Sequence, residues 1–102
     1  MDEQRLKAAI GLSRRSGNLA SGNGATVKAI ETGRAKLVLV DESASNRTRK
    51  NLCLLCETYR VPCKMLPGTF ELARAAGYDT SKMLALLDAN LAKMAASAIK
   101  AE

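Results

Sequence analysis

Apolar positions along this chain alternate between two rhythms. From Asp2 to Arg15 they fall at Leu6, Ala9 and Ile10, with Ser13 extending the line, a three-and-four spacing that predicts an amphipathic helix. Asp2 can cap its start, Gly11 weakens it slightly and Gly17 should end it. Arg14 and Arg15 occupy its last turn, where cations suit the helix dipole. NLAS, residues 18–21, reads as a brief strand, and SGNGATVKAIETG, residues 21–33, opens a second helix. Ala25, Val27, Ala29 and Ile30 supply its apolar content, and Gly33 ends it. The rhythm then changes. AKLVLV, residues 35–40, is a continuous apolar run, the pattern of a strand buried on both faces. DESASN follows as a loop, and a third helix runs from Ser45 or Asn46 to Tyr59, with Leu52, Leu55, Cys56 and Tyr59 as its inner stripe. VPCKML, residues 61–66, is another strand, with Pro62 as its first residue. Pro67-Gly68 makes a turn, and Thr69 caps a short helix, FELARAA, closed by Gly77. The tail SKMLALLDANLAKMAASAIKAE fits either one long helix or a short strand followed by a helix capped at Asp88. Helices alternating with short buried strands predict a three-layer α/β sandwich.

Composition narrows the function. At 102 residues, with 47% apolar and 25% charged, the chain is expected to form one domain with a real core. No run approaches the roughly 18 apolar residues of a membrane span. The acidic start MDE and the lack of a long apolar block do not read as a secretory signal, so the cytoplasm is the expected compartment. The net charge of +6 is uneven: residues 1–51 hold ten Lys/Arg against five Asp/Glu, and residues 52–102 hold six against five. A basic half favours a polyanionic partner. The sequence has no His, which excludes a His-based triad, base or metal ligand. Tyr59, Phe70 and Tyr78 are the only aromatics, too few for a platform of stacked bases, so an RNA partner would be read by shape, backbone and groove edges.

Four clusters invite a chemical reading. Cys53 and Cys56 form a CxxC with Cys63 further on, but both lie inside a helix with no His or fourth Cys, so buried thiols are the plainer reading. GNGATVK resembles a phosphate loop only loosely: no Gly precedes Lys28, and Ala29 stands where Ser or Thr is needed. Asp41 and Glu42 end the central strand without a third ligand. Arg47, Arg49 and Lys50 read as a solvated helix face, whereas Arg14, Arg15, Lys28, Arg34 and Lys36 matter only if they converge. No catalytic residue, metal site or cofactor is expected. The small-residue start of the second helix is the better site, because it leaves backbone N–H groups open to a phosphate or a nucleic-acid backbone.

Four segments, in order, carry a resemblance: GxxxxxKAIExG at 22–33, AKLVLV at 35–40, LCxxxxVP at 55–62 and ELARAAG at 71–77. Over about residues 4–95 the chain resembles the ribosomal protein L-seven-Ae and L-thirty-e superfamily of kink-turn RNA-binding proteins. GLSRRSGNLASG at the front looks most like the bacterial branch. The resemblance implies an α/β/α sandwich around a four-stranded mixed sheet, with residues 82–87 as a strand and a last helix from near Asp88. It also implies binding to an RNA internal loop that bends at tandem sheared G·A pairs. The start of the second helix would enter the widened groove, and the loop after the VPxxxx strand would cover an extruded nucleotide. By position, the first surface is Gly22, Asn23, Gly24, Ala25, Thr26 and Lys28, and the second is Leu66, Pro67, Gly68 and Thr69. The archaeal and eukaryotic pattern puts an Asn-Glu pair four and three residues before the lysine. Here those slots hold Gly24 and Ala25, which removes side-chain contacts to the guanines and leaves backbone attraction in place.

The expected function is a non-enzymatic RNA-binding domain spanning residues 1–102, acting on kink-turn or ribosomal RNA and associated with the ribosome. The alternative is a protein-interaction or scaffold module on the same fold with a weakened RNA surface. An enzyme is the third reading, disfavoured by the absence of His, a phosphate loop and a complete metal site.

Overall fold

The computed structural model describes residues 1–77 and 81–101. Its elements, in order, are α1 (Glu3–Arg15), β1 (Leu19–Ser21), α2 (Asn23–Glu31), β2 (Leu37–Asp41), α3 (Asn46–Thr58), β3 (Cys63–Leu66), a 3₁₀ turn (Gly68–Phe70), α4 (Leu72–Ala75), β4 (Met83–Leu86) and α5 (Ala89–Lys100). The strands form one sheet in the order β1-β4-β2-β3. β4 is antiparallel to both neighbours, and β2 runs parallel to β3, with α3 as the crossover between them. The sheet is therefore mixed and four-stranded, with helices on both faces.

The continuous apolar runs are explained by that sandwich. Successive residues of a strand point to opposite faces. Leu37 and Leu39 of β2, with Leu84 and Leu86 of β4, join Leu6, Ala9 and Ile10 of α1 and Ala92, Ala95 and Ala98 of α5 in one core. Val38 and Val40, with Met83 and Ala85, join Ala29 and Ile30 of α2 and Leu52 and Cys56 of α3 in the other. The tail KMLALL forms a strand rather than helix because it fills the slot between β1 and β2, pairing Leu19 with Leu86 and Val40 with Met83. Asp88 then caps α5, its Oδ1 accepting from the Leu91 N–H at 2.9 Å.

Several details differ from the sequence pattern. Tyr59 is 46% exposed and does not complete the α3 stripe, and Ala25 is exposed on α2 while Thr26 takes the inward position. β3 begins at Cys63, one residue after Pro62, although the Pro62 carbonyl still accepts from the Val38 N–H at 2.9 Å. Thr69 caps no helix. It lies inside the 3₁₀ turn, and α4 starts only after Glu71, whose φ of 56° breaks the helical path that FELARAA suggests.

Candidate nucleic-acid interface

The helix starts are not equivalent. Asp2, Ser45 and Asp88 cap α1, α3 and α5 with side-chain oxygens that accept from Arg5, Thr48 and Leu91 N–H groups. α2 has no side-chain cap and no acid in its first turn. Its N-cap is Gly22, at φ 88° and ψ 166°, a conformation essentially restricted to glycine. Gly22 is anchored by its N–H to the Met83 carbonyl (3.1 Å), and its own carbonyl accepts from the Thr26 N–H (3.0 Å). Asn23, Gly24 and Ala25 follow as an exposed first turn of small side chains. A Cβ built at Gly24 meets nothing within 4 Å, so the space above this turn is open. Uncapped first-turn amides and the helix dipole give this end a positive potential. Lys28 is exposed on the same helix, about 9 Å further along its axis. Thr26 is fully buried and contributes no surface.

The second surface lies at the same end of the sheet. Gly22 follows β1, Leu66 ends β3, Asp41 ends β2 and Met83 begins β4. With β4 and β2 between them, β1 and β3 stand about 14 Å apart. Leu66 is only 1% exposed and its side chain belongs to the core, so Pro67 is the apolar side chain that this loop presents, flanked by exposed Gly68 and Thr69. The carboxylates that end β2 fasten the loops. Asp41 Oδ1 accepts from the Ser43 N–H at 2.8 Å, and Glu42 Oε1 accepts from the Gly68 N–H at 3.2 Å. Glu42 thus ties the β3–α4 loop to the β2–α3 loop.

Sequence spacing gave no sign of two further groups here. Lys82 Nζ donates to Ser43 Oγ at 2.8 Å, which sets a cation between the two surfaces. Ser21 and Ser81 bring their hydroxyls to 2.6 Å, and Ser81 donates to the Met83 carbonyl, bracing the turn into α2. These partners lie about forty to sixty residues apart in the chain, beyond the reach of any local pattern.

The other candidates lie elsewhere. The Lys36 N–H donates to the Leu86 carbonyl, which puts Lys36 at the opposite end of the sheet from Gly22. The Arg14 guanidinium packs over Gly77. Cys53 and Cys56 of α3 and Cys63 of β3 approach one another. All three are free thiols, and only Cys56 is fully buried, Cys53 being exposed; the hydrogen bond between Cys56 and Cys63 lowers the Cys56 pKa and raises that of Cys63, and partial desolvation raises that of Cys53. No group of three His, Cys, Asp or Glu residues among the described residues is arranged to hold a metal ion. No described helix is long and apolar enough to cross a membrane.

The chain matches the model of the ribosomal protein L7Ae/L30e/S12e/Gadd45 family over residues 4–95, and it belongs to that family. It is 35% identical over 83 residues to the RNA-binding protein YlxQ of Bacillus subtilis, covering 81% of this chain and 83% of that one. It is 32% identical over 92 residues to the RNA-binding protein YlxQ of Enterococcus faecium, covering 90% and 88%. A solved Bacillus halodurans protein of unknown function superposes with a TM-score of 0.86 at 28% identity, covering 94% of this chain and 97% of the other.

Proposed function

We propose that this chain is a non-enzymatic, cytoplasmic RNA-binding domain that recognises kink-turn-like structured RNA and works in association with ribosomal RNA. The observation that carries the reading is the bare start of α2, the one long helix described here without a side-chain cap, in a family with relatives named for RNA binding. A capping carboxylate would occupy and neutralise the first-turn amides. Glycine leaves them to an external anion, and phosphates are the anions RNA supplies.

In this reading Gly22, Asn23, Gly24 and Ala25 bring backbone close to the RNA, Lys28 adds a full charge, and Thr26 holds the turn from within. Pro67, Gly68 and Thr69 cover an extruded base, Leu66 anchors that loop, and Lys82 joins the phosphate contacts. Recognition then rests on shape and backbone, because Gly24 and Ala25 have no group to read a guanine edge.

The test is a titration against a kink-turn RNA and against the same duplex with its G·A pairs replaced by Watson–Crick pairs, at physiological salt. Tight binding to the kink-turn alone supports the reading. Equal, weak binding to both overturns it and favours a scaffold module on the same fold.

A further inference from the structure

α2 and α3 touch at their inner sides but pack less closely than α1 and α5 do on the other face. Between the outer sides of α2 and α3 lies a groove of about 460 Å³, within the size range of small-molecule sites. Asn23 and Val27 of α2 and Arg47, Asn51, Leu54 and Leu55 of α3 are among its lining residues. Leu54 is 65% exposed and lies outside both cores, so packing gives no account of it. No acidic residue lines the groove. α3 carries Arg47, Arg49 and Lys50 in its first half, and its only acid, Glu57, sits in its last turn. Asn23, the first residue of α2, makes the groove continuous with the uncapped helix start.

We propose that this groove receives an unpaired nucleotide from the RNA strand that continues past the start of α2, an inference that rests on the RNA-binding reading. The lining chemistry suits a nucleotide part by part. Val27, Leu54 and Leu55 offer aliphatic surface to the faces of a base. The carboxamides of Asn23 and Asn51 each carry a donor and an acceptor for a base edge. Arg47 presents a fixed fork of donors to a phosphate. A peptide helix would need a continuous apolar trough, which Asn51, Arg47 and Thr58 interrupt. No aromatic lines the groove, so the gain is expected below that of aromatic stacking.

The experiment compares a blunt kink-turn RNA with the same RNA carrying a short single-stranded extension at either end, alongside the extension as a free strand. An extension should tighten binding about fivefold. Leu54→Glu and Asn51→Ala, both at exposed positions, should erase that gain and leave blunt affinity unchanged. Blunt RNA bound equally well with and without the extension would overturn the groove and leave the kink-turn reading standing. A free strand bound through Leu54 while blunt RNA is ignored would support the groove and overturn the kink-turn reading. No binding to any of these RNAs would overturn both. A protein partner lost on Leu54→Glu, with every RNA titration unchanged, would overturn RNA as the occupant.

Discussion

The two faces of the sheet are built differently. On one face α1 and α5 lie antiparallel and close. Ala92, Ala95 and Ala98 give α5 a small-residue seam against α1, and the Asp2 N–H reaches the Ala98 carbonyl at 2.7 Å. Both helices start on an aspartate whose carboxylate satisfies a backbone N–H within the chain. On the other face α2 starts on a glycine with no cap, and a groove runs between the outer sides of α2 and α3. The closed face caps both of its long helices from within the chain and packs them closely together. The open face leaves the first-turn amides of α2 without a side-chain cap and Leu54 65% exposed, and it is the face that meets RNA in the proposed reading.

The sharpest break in the comparison comes from the core. Leu39→Ala removes a fully buried side chain from the closed face and should cost about 2–5 kcal/mol in urea unfolding. Val38→Ala, the next residue on the opposite face, should cost about 2 kcal/mol. Equal costs would mean that each carbon removed costs more on the open face than on the closed one, which would overturn the comparison. Gly22→Ala should cost about 1–3 kcal/mol, because an L-residue is strained at φ 88° and ψ 166°. Gly24→Ala should change stability by no more than about 1 kcal/mol, since the space around it is open, and any loss of RNA affinity would then report close approach of the RNA. Removing the cap with Asp88→Ala should lower stability by about 1 kcal/mol and leave RNA titrations unchanged. Lys28→Ala should move stability by less than about 0.5 kcal/mol. It should weaken RNA binding and flatten the log–log salt slope by about 0.7–0.9 for the lost phosphate contact. Unchanged RNA binding in Lys28→Ala would remove α2 from the interface.

Much of the fold was legible in the sequence. The alternation of elements up to Gly77, the doubly buried β2 and the aspartate cap at Asp2 follow from spacing and residue type, whereas β4 and the Asp88 start of α5 come from the family resemblance, since local rules fit one long helix equally well. Most of the candidate surface at the start of α2 was also legible, because glycine and other small side chains at a helix start have a local meaning. The exceptions share a cause. Thr26 faces inward because the helical phase is set by Ala29 and Ile30, and Leu66 faces inward because its register against Asp41 puts it in the core. Thr69 lost its capping role to the left-handed Glu71, for which the sequence carried no glycine to warn.

The sequence by itself determined several local choices: the cap at Asp2, the doubly buried run of β2 and the small-residue start of α2. Those choices act within a turn or two of the chain, where spacing and propensity operate. The tertiary structure alone decided that β4 sits between β1 and β2, that Glu42 tethers Gly68, that Lys82 reaches Ser43, and that a groove runs between the outer sides of α2 and α3. Each of these depends on contacts between residues far apart in the chain. They form only when strand pairing closes long loops, and no local pattern encodes which ends will meet.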